Sequence, residues 1–237
     1  MFTQYLQQAA IDYGIELNDE QLQAFTCYYQ LLLEWNEKMN LTAITDPQEV
    51  AVKHMIDSLS CYDAAFFPGK CRVVDVGTGA GFPGIPLKIY RPDLQLTLVD
   101  SLNKRLTFLQ CVTDQLGLTD VSIVHARAEE GARKRELRDK FDVALSRAVA
   151  RLNVLSELCL PFVTRGGVFI ALKGAQYEEE VNEAKQAIDV LGGNLIKIQP
   201  VKLPGLVDKR AVLYIRKEKP TPGVYPRKPG TPEKKPL

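Results

Sequence analysis

From residue 70 onward the chain alternates short apolar runs with longer amphipathic stretches. The runs 72–76, 95–99, 121–125, 141–146, 167–173, 195–201 and 211–216 are rich in Val, Ile, Leu and Phe and read as strands. Between them, 82–90, 102–117, 128–137, 152–162 and 176–191 carry apolar residues at helical spacing. Alternation with short connections predicts an α/β fold, a mainly parallel sheet with helices on both faces. Only the turn Pro204-Gly205-Leu206-Val207-Asp208-Lys209 separates the last two strands. That is too short for a parallel crossover, so they are expected to pair antiparallel. Ahead of residue 70 the pattern is helical. Leu6, Ala9, Ala10 and Tyr13 share a face up to Gly14. Asn18-Asp19-Glu20-Gln21 reads as a capping box for a helix through Met39, and Asp46-Pro47 as the cap of another. The expected organisation is a helical cap (1–69), an α/β domain (70–216) and a tail (217–237).

Composition adds bounds. The 237 residues are 46% apolar and 25% charged, enough for one sizeable core and an appendage. No run of about 18 apolar residues predicts a membrane span. Met1-Phe2-Thr3-Gln4-Tyr5 lacks the basic start of a secretory signal, so a cytoplasmic protein is expected. Cys27, Cys61, Cys71, Cys111 and Cys159 are scattered with no C-x-x-C, which reads as reduced thiols and no metal site. The net charge of +1 is unevenly spread. Residues 216–237 hold seven Lys/Arg, two acids and six prolines, whereas residues 1–60 hold nine acids and two lysines. A basic, proline-rich end is expected to be extended and to suit a phosphate backbone through residues such as Arg227 and Lys228.

The strongest chemical signal is Val73-Val74-Asp75-Val76-Gly77-Thr78-Gly79-Ala80-Gly81-Phe82-Pro83-Gly84. An apolar strand turns into a helix through bare backbone, a cradle for a nucleotide-like ligand. The turn matches both the dinucleotide pattern and the acid-x-G-x-G-x-G pattern of S-adenosylmethionine enzymes. Asp75 separates them, because a carboxylate repels a pyrophosphate and favours an ammonium and a sulfonium. Gly77, Gly79 and Gly81 are thus candidate cofactor contacts, and Asp100, ending the next strand, is placed to accept ribose hydroxyls. Five parallel strands closed by an antiparallel hairpin also match the Rossmann-like class I S-adenosylmethionine-dependent methyltransferase sheet, not the all-parallel dinucleotide sheet. Ligands bind beyond the carboxyl ends of such strands. Those ends carry Asp75, Asp100, Ala126-Arg127-Ala128-Glu129, Ser146-Arg147-Ala148 and Lys173-Gly174.

Asp75 through Pro86, Asp100-Ser101-Leu102-Asn103-Lys104-Arg105 and Ser146-Arg147-Ala148 together resemble the small-subunit ribosomal RNA methyltransferase G family, also described as glucose-inhibited division protein B. Trp35 through Thr42, His54 through Leu59 and Tyr225 through Pro232 extend the resemblance nearly end to end. It implies transfer of a methyl group from S-adenosylmethionine to N7 of a guanosine in bacterial small-subunit (16S) rRNA. It implies cofactor contacts at Gly77, Phe82, Ala128, Glu129 and Arg147. The rival readings are a methyltransferase with a non-RNA substrate, a non-catalytic RNA-binding protein and an NAD-dependent oxidoreductase.

N7 of guanine has an in-plane lone pair and loses no proton on attack, so no general base is needed. Catalysis then rests on alignment. Because N7 lies in the inaccessible groove of A-form RNA, the target must sit in a loop or be flipped out. Arg147 is the candidate catalytic residue; a guanidinium there can grip the cofactor carboxylate or an RNA phosphate. Lys104, Arg105 and Lys173, with the tail, are candidate RNA contacts, and Arg133, Lys134, Arg135 and Arg138 form a second basic cluster. The expected partner is small-subunit rRNA or the ribosomal subunit, met by a monomer.

Overall fold

The computed structural model describes residues 1–237. Helices α1 (Phe2–Tyr13) and α2 (Asp19–Met39) come first. The capping box is present: Gln21 N donates to Asn18 Oδ1 at 2.8 Å, and Asn18 N to Gln21 Oε1 at 3.0 Å. A third helical run begins with α3 (Pro47–Val50), capped by Asp46, passes through a π-helical segment Ala51–Ile56 and ends in α4 (Asp57–Leu59). The remaining elements alternate. They are β1 (Arg72–Val76), α5 (Gly84–Tyr90), β2 (Gln95–Asp100), α6 (Asn103–Gln115), β3 (Val121–His125), α7 (Ala128–Gly131), β4 (Phe141–Arg147), α8 (Leu152–Cys159), β5 (Val163–Lys173), α9 (Tyr177–Val190), β6 (Gly193–Pro200), β7 (Ala211–Lys217) and α10 (Thr231–Lys234).

The sheet order is β3-β2-β1-β4-β5-β7-β6, with β7 antiparallel to both neighbours. This is the expected Rossmann-like methyltransferase sheet. Strand order reverses between β1 and β4, which opens a crevice at their carboxyl ends. Period-2 alternation decides which side chains meet which layer. Val73, Val143 and Leu145 face a core shared with Phe25, Tyr28, Leu32 and Met55 of the N-terminal helices. Val74, Val76 and Ala144 face a second core with Leu155, Ala184 and Ile188 of α8 and α9. The N-terminal helices therefore pack directly on one face of the sheet. No helix is long and apolar enough to cross a membrane.

Two expectations need correction. The helix expected over 128–137 stops after one turn, at Gly131, and Arg133 and Arg138 beyond it point their guanidiniums at the tail. The tail itself is not extended. Thr221, Pro226 and Pro232 are buried. Arg138 donates to the carbonyls of Thr221 and Tyr225, and Arg133 to those of Val224 and Pro226. Arg227 forms a bidentate pair with Glu157, whose side chain is 1% exposed, and its backbone N–H adds a bond of 2.7 Å. Charge and proline content overlooked this because a proline-rich segment needs few internal hydrogen bonds and takes them here from arginines of the domain.

Breaking a buried pair strands the remaining charge, at a cost of roughly 3–5 kcal/mol. Arg227→Ala is expected to lower the unfolding free energy by about 3 kcal/mol, toward the low end because Arg227 is partly exposed. Lys228→Ala, at an exposed position with no partner, should stay within about 0.5 kcal/mol of wild type. Urea unfolding of both variants checks this.

Candidate active site

Strand β1 delivers the chain into a turn in which Gly77, Gly79 and Gly81 have φ of +71°, +61° and +101°. A Cβ on Gly77 would lie 2.6 Å from Val149 Cγ2, at the wall of the crevice. Gly79 N donates to Asp100 Oδ2 at 2.9 Å. Gly81 points elsewhere: a Cβ there would strike Ile85, the Tyr28 hydroxyl and Leu109. It serves packing and does not line the crevice, which corrects its reading as a cofactor contact. Tyr28, fully buried on α2, donates to the Ala80 carbonyl at 2.5 Å and so ties the N-terminal helices to the turn.

Asp75 also departs from expectation. It shares the parity of Val73, so it faces α5 and the helical layer, and it does not line the crevice. Its Oδ2 accepts from Thr78 Oγ1 at 2.7 Å and Gly84 N at 2.9 Å, while Oδ1 is buried without a partner. Burial pushes its carboxyl up to about 6, against the pull of those two bonds. Asp75 shapes the turn from behind and does not touch what lies in front of it.

In front lies a cavity of about 510 Å³. Gly77, Gly79, Phe82, Asp100, Ala128, Glu129 and Arg147, drawn from four strand ends, all line it. Asp100 is 3% exposed; its Oδ1 accepts from Leu102 N, and Arg105 approaches Oδ2 at 3.4 Å. Apolar lining from Val99, Ala126, Val154 and Leu158 leaves a slot beside this carboxylate. A slot, a carboxylate and a glycine edge suit a nucleoside whose ribose meets Asp100.

Arg147 has the parity of Val143 and Leu145 and so points into the helical layer. Its Nη1 donates to Asp57 Oδ2 at 2.8 Å and to the Lys53 carbonyl at 3.1 Å. The guanidinium stands 4.8 Å from the Phe82 ring centroid. Nε and Nη2 keep their hydrogens free of protein acceptors. Asp57 pairs through its other oxygen with Arg210 at 2.7 Å. Next to Arg147, Ala148 holds φ of +55°, a backbone state that costs a residue with a Cβ about 1 kcal/mol or more. Arg147, Ala148 and His54 line both the first cavity and a second one of about 330 Å³, which also carries Lys53, Asp57, Lys173 and Arg210. His54 rests 4.6 Å from the Phe82 ring. Burial and Arg147 lower its pKa to about 4. The neutral ring shares a hydrogen with Thr42 Oγ1 at 2.8 Å through Nε2, and Nδ1 meets the Lys53 carbonyl at 3.2 Å.

The model of the rRNA small subunit methyltransferase G family matches residues 21–209. Proteins named Ribosomal RNA small subunit methyltransferase G are 53% identical in Desulforamulus reducens and 52% in Alkaliphilus metalliredigens, each over 98% of this chain and 97% of the relative. The chain belongs to this methyltransferase G family. Among solved structures, TYW2 of M. jannaschii in complex with AdoMet superposes with a TM-score of 0.54 at 18% identity, over 69% of this chain and 76% of that one. A 16S rRNA (adenine(1408)-N(1))-methyltransferase from Catenulisporales acidiphilia gives 0.54 at 15% identity, over 70% and 92%. At these identities the likeness is one of fold. As a class I methyltransferase of the G family, the enzyme uses S-adenosylmethionine, and the cavity's donor and acceptor set fits that molecule.

The candidate RNA contacts scatter. Lys104 is exposed at the start of α6, and Arg105 sits at the cavity mouth. Lys173 is largely buried, pairs with Glu180 at 2.6 Å and donates to the Ala150 carbonyl, which corrects its reading as an open phosphate contact. Arg227 is committed to Glu157, a second correction, while Lys228 is exposed. Sequence reasoning missed Thr42, His54, Asp57, Arg210, Pro232 and Glu233. Thr42, His54, Asp57 and Pro232 lie in segments that carry the family resemblance, which was the only available signal.

Two outcomes are expected. Asp100→Asn keeps the shape but loses the charge that meets the ribose, so S-adenosylmethionine affinity should fall about 10–100-fold, the equivalent of about 1.5–3 kcal/mol; titration calorimetry measures it. The second concerns acid. As pH falls from 6.5 toward 4, the unfolded chain protonates His54 while the folded chain refuses, so this residue's stabilising contribution is lost over that window. Asp75 acts oppositely, since its raised pKa favours the folded state at low pH and disfavours it as pH rises through 6. His54→Gln removes only the first effect. Relative to wild type, the variant should gain about 3 kcal/mol between pH 6.5 and 4, read from urea unfolding at several pH values.

Proposed function

We propose that this protein transfers a methyl group from S-adenosylmethionine to N7 of a guanosine in bacterial small-subunit (16S) rRNA, in the cytoplasm. The observation that carries this reading is the near end-to-end identity of about half with rRNA small subunit methyltransferase G proteins, joined to a cavity of matching chemistry. Bound there, S-adenosylmethionine supplies an electrophilic methyl on a sulfonium. Gly77 and Gly79 give close backbone approach, and Asp100 holds the ribose. Phe82 and Arg147 close the side toward the second cavity, where an extruded base fits beside the methyl.

The pairing of the carboxylates at the second cavity, Asp57 with Arg147 and Arg210 and Glu180 with Lys173, supports N7. His54 is the histidine beside this junction, and it is neutral, with both ring nitrogens engaged by Thr42 and Lys53. A lone-pair nucleophile that sheds no proton needs nothing more than alignment. The free Nε and Nη2 hydrogens of Arg147 remain available to a carboxylate or a phosphate.

Mapping N7-methylguanosine in 16S rRNA from cells with and without this protein tests the proposal. One modified guanosine should vanish in the deletion strain and return with the gene. An unchanged map sinks the assignment of N7 and of rRNA as acceptor.

A further inference from the structure

We infer that the end of the tail is a wall of the cofactor pocket, with Gly230–Glu233 bracing its adenosine end through Glu129. This rests on the reading of the cavity as an S-adenosylmethionine site. Pro232 and Glu233 line the same cavity as Asp100, Ala128 and Glu129. Asp100 marks the ribose, so the β3 end beyond it, where Ala128 and Glu129 stand, receives the base.

Glu129 is the link. It is 8% exposed and accepts from Gly230 N at 2.9 Å through Oε1. Its Oε2 has no protein donor. An ionised carboxylate accepts only, and the adenosine half of the ligand offers amino and hydroxyl donors. One oxygen thus holds the tail and the other faces the ligand. Gly230 reaches Glu129 with φ of +76°, and buried Pro232 follows two residues later. The segment arrives there already fixed by the Arg227–Glu157 pair and the Arg133 and Arg138 bonds. Arg227 therefore works as an anchor for this wall. The Gly230 bond fixes the orientation of the Glu129 carboxylate before the ligand arrives, so each should favour the other, and the coupling is reciprocal.

The experiment compares the full chain with one lacking residues 229–237, which keeps Arg227. Calorimetry with S-adenosylmethionine should show at least a 10-fold weaker dissociation constant for the shortened chain. The salt dependence of its rRNA binding should be unchanged. In the full chain, amide hydrogen exchange at Gly230, Thr231, Glu233 and Lys234 should slow at least 10-fold when S-adenosylmethionine saturates the site. That measurement decides alone if the shortened chain does not fold. Affinity within twofold of the full chain, or exchange indifferent to ligand, overturns the inference. So does a flattened salt dependence with unaltered cofactor affinity, which assigns the segment to RNA. Failure of the full chain to bind S-adenosylmethionine at all refutes the cofactor reading beneath it.

Discussion

The buried carboxylate of Asp75 is the interaction on which the site depends. It lies under the β1–α5 turn and binds the Thr78 hydroxyl and the Gly84 N–H, so the start of the turn and the start of the helix are held by one oxygen. A Cβ on Gly84 would lie 2.8 Å from that oxygen, so only glycine admits the bond. The other oxygen is left without a partner, and the raised pKa expresses that cost. With the Asp75 carboxylate and the Tyr28 hydroxyl bonded to it from the helical layer and Val149 beside it, the turn has no room to relax. Backbone edges at Gly77 and Gly79 are thereby presented in a fixed geometry, the kind of preorganisation that favours ligand binding.

A second constraint sits where the two cavities meet. Asp57 lies between Arg147 and Arg210, and the π-helical segment just before it places the Lys53 carbonyl on the same guanidinium. π-helical turns cost backbone regularity and tend to mark sites of function. Here the segment orients an arginine that lines both cavities. Burial, with the positive charge of Arg147 second, keeps His54 neutral, consistent with a reaction that needs alignment and no proton transfer. The N-terminal helices and the loop between α2 and α3 therefore supply Tyr28, Thr42, His54 and Asp57 to the site, in addition to covering the sheet.

The basic residues separate into two populations. Lys104, Lys134, Arg135 and Lys228 remain on the surface. Arg133, Arg138 and Arg227 spend their guanidiniums on tail carbonyls and on Glu157, and Lys173 spends its ammonium on Glu180. Guanidinium forks suit carbonyl and carboxylate acceptors as well as phosphates, so composition alone does not separate these uses.

The sequence by itself determined the strands, because alternation and β-rich runs are local signals, and seven runs became seven strands. It determined the antiparallel end of the sheet from loop length. It also singled out the glycine turn, Asp100, Glu129 and Arg147, because motif spacing fixes which residues stand at strand ends. Only the tertiary structure decided which way those side chains face. Asp75 and Gly81 sit inside the motif yet turn inward, since strand parity and helix packing set their direction. Only the tertiary structure paired Arg227 with Glu157, 70 residues away, and brought Pro232 to the cavity that Asp100 and Glu129 line. Long-range pairs leave no local trace in a single chain, because either partner reads alone as a charge that water could satisfy equally well.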